Sequence, residues 1–451
     1  MTTELTTAPV PALIRRLAVP AGTGFFFNTM FNVVDVWYGG RLSTTALAAM
    51  SLSFPVFFIM LAIGTGISTG ATALIGAELG RGNRPGARVL ILQSLSFALM
   101  HAVLLSCAGL LFLPALFRFM GAGGHYLELA LSYMNVIYAG APFFMLNFTI
   151  SAILNSHGDT ATYRNFLISG FFLNLGLDPW FMYGGAGMPP LGLPGIACAT
   201  VLIQLLGNVY LVHRLHGTGI ITSLYPGDLI PEWPHFRELF RQGFPAAVNM
   251  MTVTLGIFII TWFVGRFGQE AVAAYGIGTR IEQIALLPVM GLNVSTLALT
   301  AQNHGAGRPE RIREVLAVSL RYGFMLALGG TLVTLAFTEQ LMRLFTGAPE
   351  VIAAGVTFLR IEAWVFPAYV LLYICVAAMQ GIKRPAFALW IGMYRQIAAP
   401  LLLFHTATSV LALGITGIWW GILTVTWSAA AVAVIYVSSS INSLLKDDHT
   451  P

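Results

Sequence analysis

The sequence predicts an all-α polytopic membrane protein in which twelve transmembrane helices form two six-helix lobes of like orientation. Three observations carry that prediction. Of 451 residues, 57% are hydrophobic and only 9% are charged, whereas soluble domains carry about 25% charged residues. Apolar runs of about 20 residues, each enough to cross a bilayer core of about 30 Å, recur between polar breaks. The first half of the chain also repeats in the second at a constant offset of 225, with about twenty identities over the eighty-five positions from Arg16 to Met100.

The spans centre on residues 17–40, 46–76, 89–113, 126–150, 163–184, 193–213, 241–265, 271–301, 315–337, 351–377, 386–406 and 413–440. The opening MTTELTTAPVPALIRR lacks an apolar signal core followed by a small-residue cleavage site, so the first apolar segment is expected to stay as a helix. With the N-terminus inside, fifteen basic residues fall in cytoplasmic segments against four outside, Arg41, Arg118, Arg266 and Arg343. That asymmetry sets orientation and supports the span count. The expected organisation is an N-lobe over 1–214, a cytoplasmic linker over 215–240 ending in an amphipathic helix, a C-lobe over 241–440 and a cytoplasmic tail over 441–451. Pro20 repeats as Pro245, Trp37 as Trp262, Gly40-Arg41 as Gly265-Arg266 and Gly66 as Gly291. Six spans per half is an even number, so the halves share orientation about an axis along the membrane normal, a recurrent plan among transporters.

Charge inside the spans is where function should lie. Asp35 sits in FFFNTMFNVVDVWYGG, and the equivalent position of the second half is Ile260. An ionisable side chain at bilayer depth is costly and marks a functional site by default. Asp178 lies about as far before the outer boundary at Gly184-Gly185 as Asp35 does before Gly40-Arg41, so the two carboxylates should sit at similar depth. Two carboxylates close together away from water cannot both ionise cheaply, which makes them a carrier able to load and unload a proton. Asn174, four residues before Asp178, shares its helix face. A bland alternative for Asp178 is that, followed by Pro179, it caps freed backbone groups. Interhelical glue is the corresponding alternative for Asn174.

Together, RLAVPAGTGFFFNTMFNVVDVWYGGRLSTTALAAMSL, GISTGATALIGAELGRGN, LNLGLDPWFMYGG, GLPGIACATVL, GFPAAVNMM and AAYGIGTRIEQIALLPVMGLNVSTLALTAQNHGAGR resemble the multidrug and toxic compound extrusion (MATE) transporters over nearly the whole chain. The prokaryotic branch called DinF-like is the most similar, since the acids lie in the first half. The resemblance implies a V-shaped pair of lobes that exports amphiphilic, often cationic compounds in exchange for protons or sodium ions. It also implies a cation site at Asp35, Asn174, Asp178 and Thr200, with Tyr133 nearby and a first span that bends at Pro20. Pro245 occupies the equivalent place without an acid, so a packing kink is the competing reading of Pro20.

In the second half, Arg280, Glu282, Arg360, Glu362 and Arg395 fall near mid-span at similar depth. Structural ion pairs are expected, such as Arg280 or Arg395 with Glu362. The sharper alternative is that Glu282 or Glu362, with Arg395, forms a substrate or second charge site. Met30, Trp37 and Met250 are candidates for a polarizable substrate surface. Cys107, Cys198 and Cys375 lie in apolar segments and imply neither disulfides nor zinc. The formal net charge of +5 is scattered through short loops, which excludes a nucleic-acid patch. The expectation is therefore a monomeric, multi-pass protein of the inner (plasma) membrane with both termini cytoplasmic and no cofactor beyond the coupling ion, H+ or Na+. A lipid-linked oligosaccharide flippase, a membrane-embedded enzyme and a channel are the competing functions. Neither a His-rich metal motif nor a nucleophile elbow supports the enzyme.

Overall fold

The computed structural model describes residues 4–219 and 226–447. The parts of the expected linker and tail at 220–225 and 448–451 lie outside the described residues. Helices dominate, and among the described residues the β structure amounts to one isolated bridge, Gly185 to Met188.

A short helix, Glu4–Thr7, precedes α1 (Val10–Leu42), α2 (Thr44–Gly80) and α3 (Arg84–Phe119). The fourth span, α4, is a pair of helices, Gly124–Ala139 and Ala141–Ser156, bent by 47° at Gly140. Next come α5 (Ala161–Tyr183), α6 (Leu193–His216), α7 (Trp233–Val264), α8 (Gln269–Gly305) and α9 (Pro309–Ala336). The last three are α10 (Pro349–Gly381), α11 (Ala386–Val410) and α12 (Gly414–Asp447). All twelve expected spans are therefore helical, and all but α5 meet a length and hydropathy test for crossing a membrane, α4 as a bent pair. The helix that falls short, α5, is long enough at 23 residues but carries Asn174 and Asp178, whose polarity lowers its mean hydropathy. The site itself obscures the span that holds it.

Helix ends follow local chemistry. Ser43 accepts a hydrogen bond from the Ala46 N–H at 3.0 Å and Asn83 accepts one from the Gly86 N–H at 3.1 Å, which caps α2 and α3. Gly184 ends α5 with φ at 78°, and a Cβ there would meet the Met188 carbonyl oxygen at 2.7 Å. Only glycine tolerates both conditions.

The chain divides into two compact units, Thr23–Ala247, and Met1–Gly22 together with Val248–Pro451. These bounds differ from the lobes expected at 1–214 and 241–440, because α1 and α7 each change unit two residues after a proline, Pro20 or Pro245. The reason is backbone packing through small residues. Within one unit, a Cβ on Gly66 would lie 2.8 Å from the Gly243 carbonyl oxygen of α7. Within the other, a Cβ on Gly291 would lie 2.7 Å from the Gly22 nitrogen of α1. The two crossings are equivalent in the repeat. Both α1 and α7 run unbroken through their prolines.

The start of each half is also pinned by side chains. Arg308 and Arg311 donate to the carbonyls of Thr6 and Ala8 at 2.6 and 2.7 Å. In the other unit Arg88 pairs with Asp228 at 2.7 Å, while Gln93 and Ser96 donate to the carbonyls of Ile230 and Leu229 at 2.9 and 2.8 Å. The amphipathic helix expected at the end of the linker is the first part of α7, where Phe236 and Leu239 are buried and Arg237 and Arg241 exposed. At the far end of each repeat an arginine covers a tryptophan face, Arg41 on Trp37 at 4.8 Å and Arg266 on Trp262 at 4.0 Å.

Candidate ion-binding site

Within the unit Thr23–Ala247, α1 and α5 pack along their lengths through a graded series of contacts. A Cβ on Gly24 would meet Leu167, and the Phe27 and Phe171 rings meet edge to face at 5.6 Å. Gly170 admits the Phe31 ring. These apolar contacts set the register that brings Asp35 opposite Asn174. Past the polar pair, the Tyr38 hydroxyl donates to the Leu175 carbonyl at 3.1 Å, tying the same two helices again.

The polar cluster is short of donors. Asp35, 6% exposed, accepts a hydrogen bond from Asn174 Nδ2 on Oδ1 at 2.8 Å and one from the Thr200 hydroxyl on Oδ2 at 3.3 Å. Asp178 is fully buried, and neither of its carboxyl oxygens finds a hydrogen-bond donor; nor does Asn174 Oδ1. The carboxyl groups of Asp35 and Asp178 lie close enough to interact, and Tyr133 lies within electrostatic reach of both. Of the five side-chain oxygens of Asp35, Asp178 and Asn174 gathered here, only the two of Asp35 receive hydrogen bonds. Buried acceptors without donors are destabilising by about 1–3 kcal/mol each, and a proton shared between the carboxyls or a hard cation among the oxygens would satisfy them. These side chains fit such an ion.

The cap alternative for Asp178 does not match this geometry. Pro179 is accommodated inside α5, which continues to Tyr183, and no backbone N–H reaches Asp178. Asn174 does act between helices, but its partner is the Asp35 carboxylate.

In the unit of Met1–Gly22 and Val248–Pro451, Glu282 of α8 and Glu362 of α10 interact with each other and with Arg395 and Tyr369. Arg395 lies over the Tyr369 ring at 5.0 Å. Tyr275 and Tyr373 complete the surroundings. The expected contact ion pairs are not formed, since no ion pair among the described residues involves Arg280, Arg395 or Glu362. Glu362 is 1% exposed with Oε2 lacking a hydrogen-bond partner, whereas Arg280 and Arg360 are exposed. The physical reason is a π-helical turn at Tyr394–Ala398, which rotates Arg395 onto an aromatic face. Such bulges interrupt the 3.6-residue register without any mark that a sequence pattern reveals.

Met30 is half-buried on α1, and Trp37 is 52% exposed beneath Arg41. Met250 is half-buried on α7, in the other unit. Sequence reasoning missed Tyr38 and the buried amides of α4 and α6. The signal for Tyr38 was its place one helical turn after Asp35.

Comparison with known proteins accords with this architecture. The MatE family model matches twice, over residues 20–180 and 245–404, in register with the repeat. A FAD transporter of Shewanella oneidensis is 30% identical over 398 residues, covering 87% of each chain. The multidrug export protein MepA of Staphylococcus haemolyticus is 21% identical over 435 residues, covering 95% of this chain and 94% of the relative. A crystal structure of MATE in the bent conformation superposes with a TM-score of 0.93 at 25% identity, covering 100% of this chain and 99% of that one. The chain is a multi-pass membrane protein that belongs to the MatE family of transporters.

Proposed function

We propose that the chain is a secondary active exporter of amphiphilic, often cationic organic compounds, driven by protons that enter and leave the Asp35–Asp178 pair. The observation that carries this reading is the buried, donor-poor set of oxygens on Asp35, Asp178 and Asn174. A buried pair of interacting acids resists full ionisation, because desolvation and mutual repulsion both favour protonation, so it gives up its last proton only at high cost. Loss of that proton leaves a buried charge that only a rearrangement of its surroundings can relieve, which couples protonation to conformation. Sodium would use the same oxygens. The substrate crosses unchanged, through a monomer in the plasma membrane with both termini cytoplasmic.

The test is efflux of a fluorescent organic cation from sodium-free proteoliposomes under an imposed pH gradient, comparing wild type with Asp35→Asn. One proton per cycle allows about a tenfold substrate gradient per pH unit, and the amide variant should sustain none. Wild-type accumulation by Asp35→Asn at equal protein density would sink the proposal, while dependence on sodium alone would reassign the ion.

A second cargo is favoured by the relative that is named a FAD transporter at 30% identity. On that reading the exported molecule is a flavin dinucleotide, an anion. Retention of labelled FAD by inverted vesicles, competed by the organic cation, would place both cargoes on one protein.

A further inference from the structure

A seam of buried and half-buried amides leads from the ion site toward the basic end of the same unit. On α6, Thr200, Gln204 and Asn208 follow at four-residue intervals on one helix face, about 6 Å apart along the axis. Thr200 holds Asp35. One turn on, the Gln204 side-chain oxygen and its backbone carbonyl both accept from Asn147 Nδ2 of α4, at 2.7 and 2.9 Å. A further turn on, Asn208 Nδ2 donates to the carbonyls of Phe143 and Gln204, both at 2.9 Å. On α4 the seam continues four and eight residues past Asn147, where Asn155 Nδ2 donates to the Ser151 hydroxyl at 3.5 Å. It ends at His157, which sits beside Asp159. Asp159 in turn accepts from Thr162, whose hydroxyl meets Arg214.

Three features separate this seam from ordinary glue between helices. Asn147 and Asn208 are only 2% and 7% exposed, so each amide matters energetically. The amide oxygens of Asn147, Asn208 and Asn174 have no donor, and neither does His157 Nε2; two helices glued together would have used these groups on each other. Among the orphaned groups of this unit, which also include Asn135, His235 and Gln242, those on Asn174, Asn147, Asn208 and His157 follow the seam. Buried acceptors of this kind recruit water, typically through about three hydrogen bonds per molecule.

We propose that this seam is the path by which protons pass between the Asp35–Asp178 pair and the basic end of the unit, along water held by Asn147, Gln204 and Asn208. The inference rests on the reading of that pair as the proton site. In each transfer an O–H bond of the carboxyl breaks as an O–H bond to the first water forms. The excess proton then moves by successive exchanges until His157, Asp159 or bulk water takes it. The amides only orient the water, so they are positioning residues and are chemically unchanged.

The test compares Asn208→Leu with Asn208→Ala, and Asn147→Leu with Asn147→Ala, in sodium-free proteoliposomes with a lumenal pH dye and ethidium as the transported cation. Leucine fills the space with hydrocarbon, whereas alanine leaves room for water. The leucine variants should move protons about tenfold more slowly or worse, from the cost of an unsatisfied polar group on the path, while the alanine variants stay near wild type. Equal slowing by leucine and alanine would identify a structural amide and overturn the proposal, as would folded leucine variants of wild-type rate. Where a leucine variant does not fold, the near-isosteric Gln204→Met carries the same comparison. Asp35→Asn run in parallel separates the two readings. Proton movement surviving in that variant refutes the ion site, whereas its loss there alongside normal Asn208→Leu refutes only the path.

Discussion

Replacing Gly66 or Gly291 by alanine tests whether the two helix crossings are limited by backbone contact. A Cβ on Gly66 would sit 2.8 Å from both the Ala247 Cβ and the Gly243 carbonyl oxygen. On Gly291 it would sit 2.7 Å from the Gly22 nitrogen and closer still to the Ala18 carbonyl oxygen. Ordinary contact begins near 3.4 Å, so helices must part by several tenths of an ångström, and backbone atoms cannot rotate aside. Overpacking of this sort is destabilising by about 1–3 kcal/mol. The helix propensity gained on replacing glycine offsets about 0.5–1 kcal/mol. Contacts this short with backbone atoms put the cost at about 2–3 kcal/mol, so the net loss is about 1–2.5 kcal/mol, a fall in Tm of about 2–10 °C for a unit of this size. The assay is thermal unfolding of detergent-solubilised protein followed by tryptophan fluorescence. Gly329→Ala is the control, since nothing lies within 4 Å of a Cβ there, and it should raise Tm slightly. The two destabilising changes lie in different units and should add. A Gly66→Ala or Gly291→Ala protein that melts at or above wild type would refute the reasoning.

Other consequences follow from the same contacts. Asn174→Leu should impair coupled efflux far more than Thr200→Val, because the first removes a 2.8 Å bond to a carboxylate, worth about 1.5–3 kcal/mol, and the second a 3.3 Å bond; equal losses in the proteoliposome assay would contradict that order. Ile260→Asn should leave coupling intact, and a loss matching Asp35→Asn would show that the second unit carries the proton. Arg88→Ala breaks the pair with Asp228 at 2.7 Å and should speed limited proteolysis near that turn by a few fold, with transport as the check on folding. Burial of His157 at the end of α4 lowers its affinity for protons below the ordinary value of 6.5. Its contribution to stability is therefore present above pH 6.5 and lost as pH falls below it. His157→Gln should flatten the dependence of Tm on pH across that window.

Much of the fold was legible because a bilayer imposes few options on an apolar chain. The span expected over 163–184 was read from its apolar run despite Asn174 and Asp178, and the alternation of basic loops supported it. The site was legible for a similar reason: Asp35 is a costly exception within its span, and the repeat supplied Ile260 as its own control. Arg395 shows where this reasoning stops. Its mid-span depth suggested a salt bridge to Glu362, but a π turn places it on Tyr369. Asn147, Gln204 and Asn208 were passed over because neutral amides carry no charge penalty that singles them out.

The sequence by itself determined the membrane class, the twelve helices, the repeat and which carboxylates lie within the spans, because hydropathy, charge and periodicity act along the chain. The tertiary structure decided what those groups touch. It brought Asn174 and Thr200 onto Asp35, left Asp178 without a donor, and moved the starts of α1 and α7 into the opposite units. Those outcomes depend on how closely backbones approach at Gly66, Gly291 and Gly170, and on the helical register past each proline and bulge. Such distances are set jointly by residues far apart in sequence, so no local pattern encodes them.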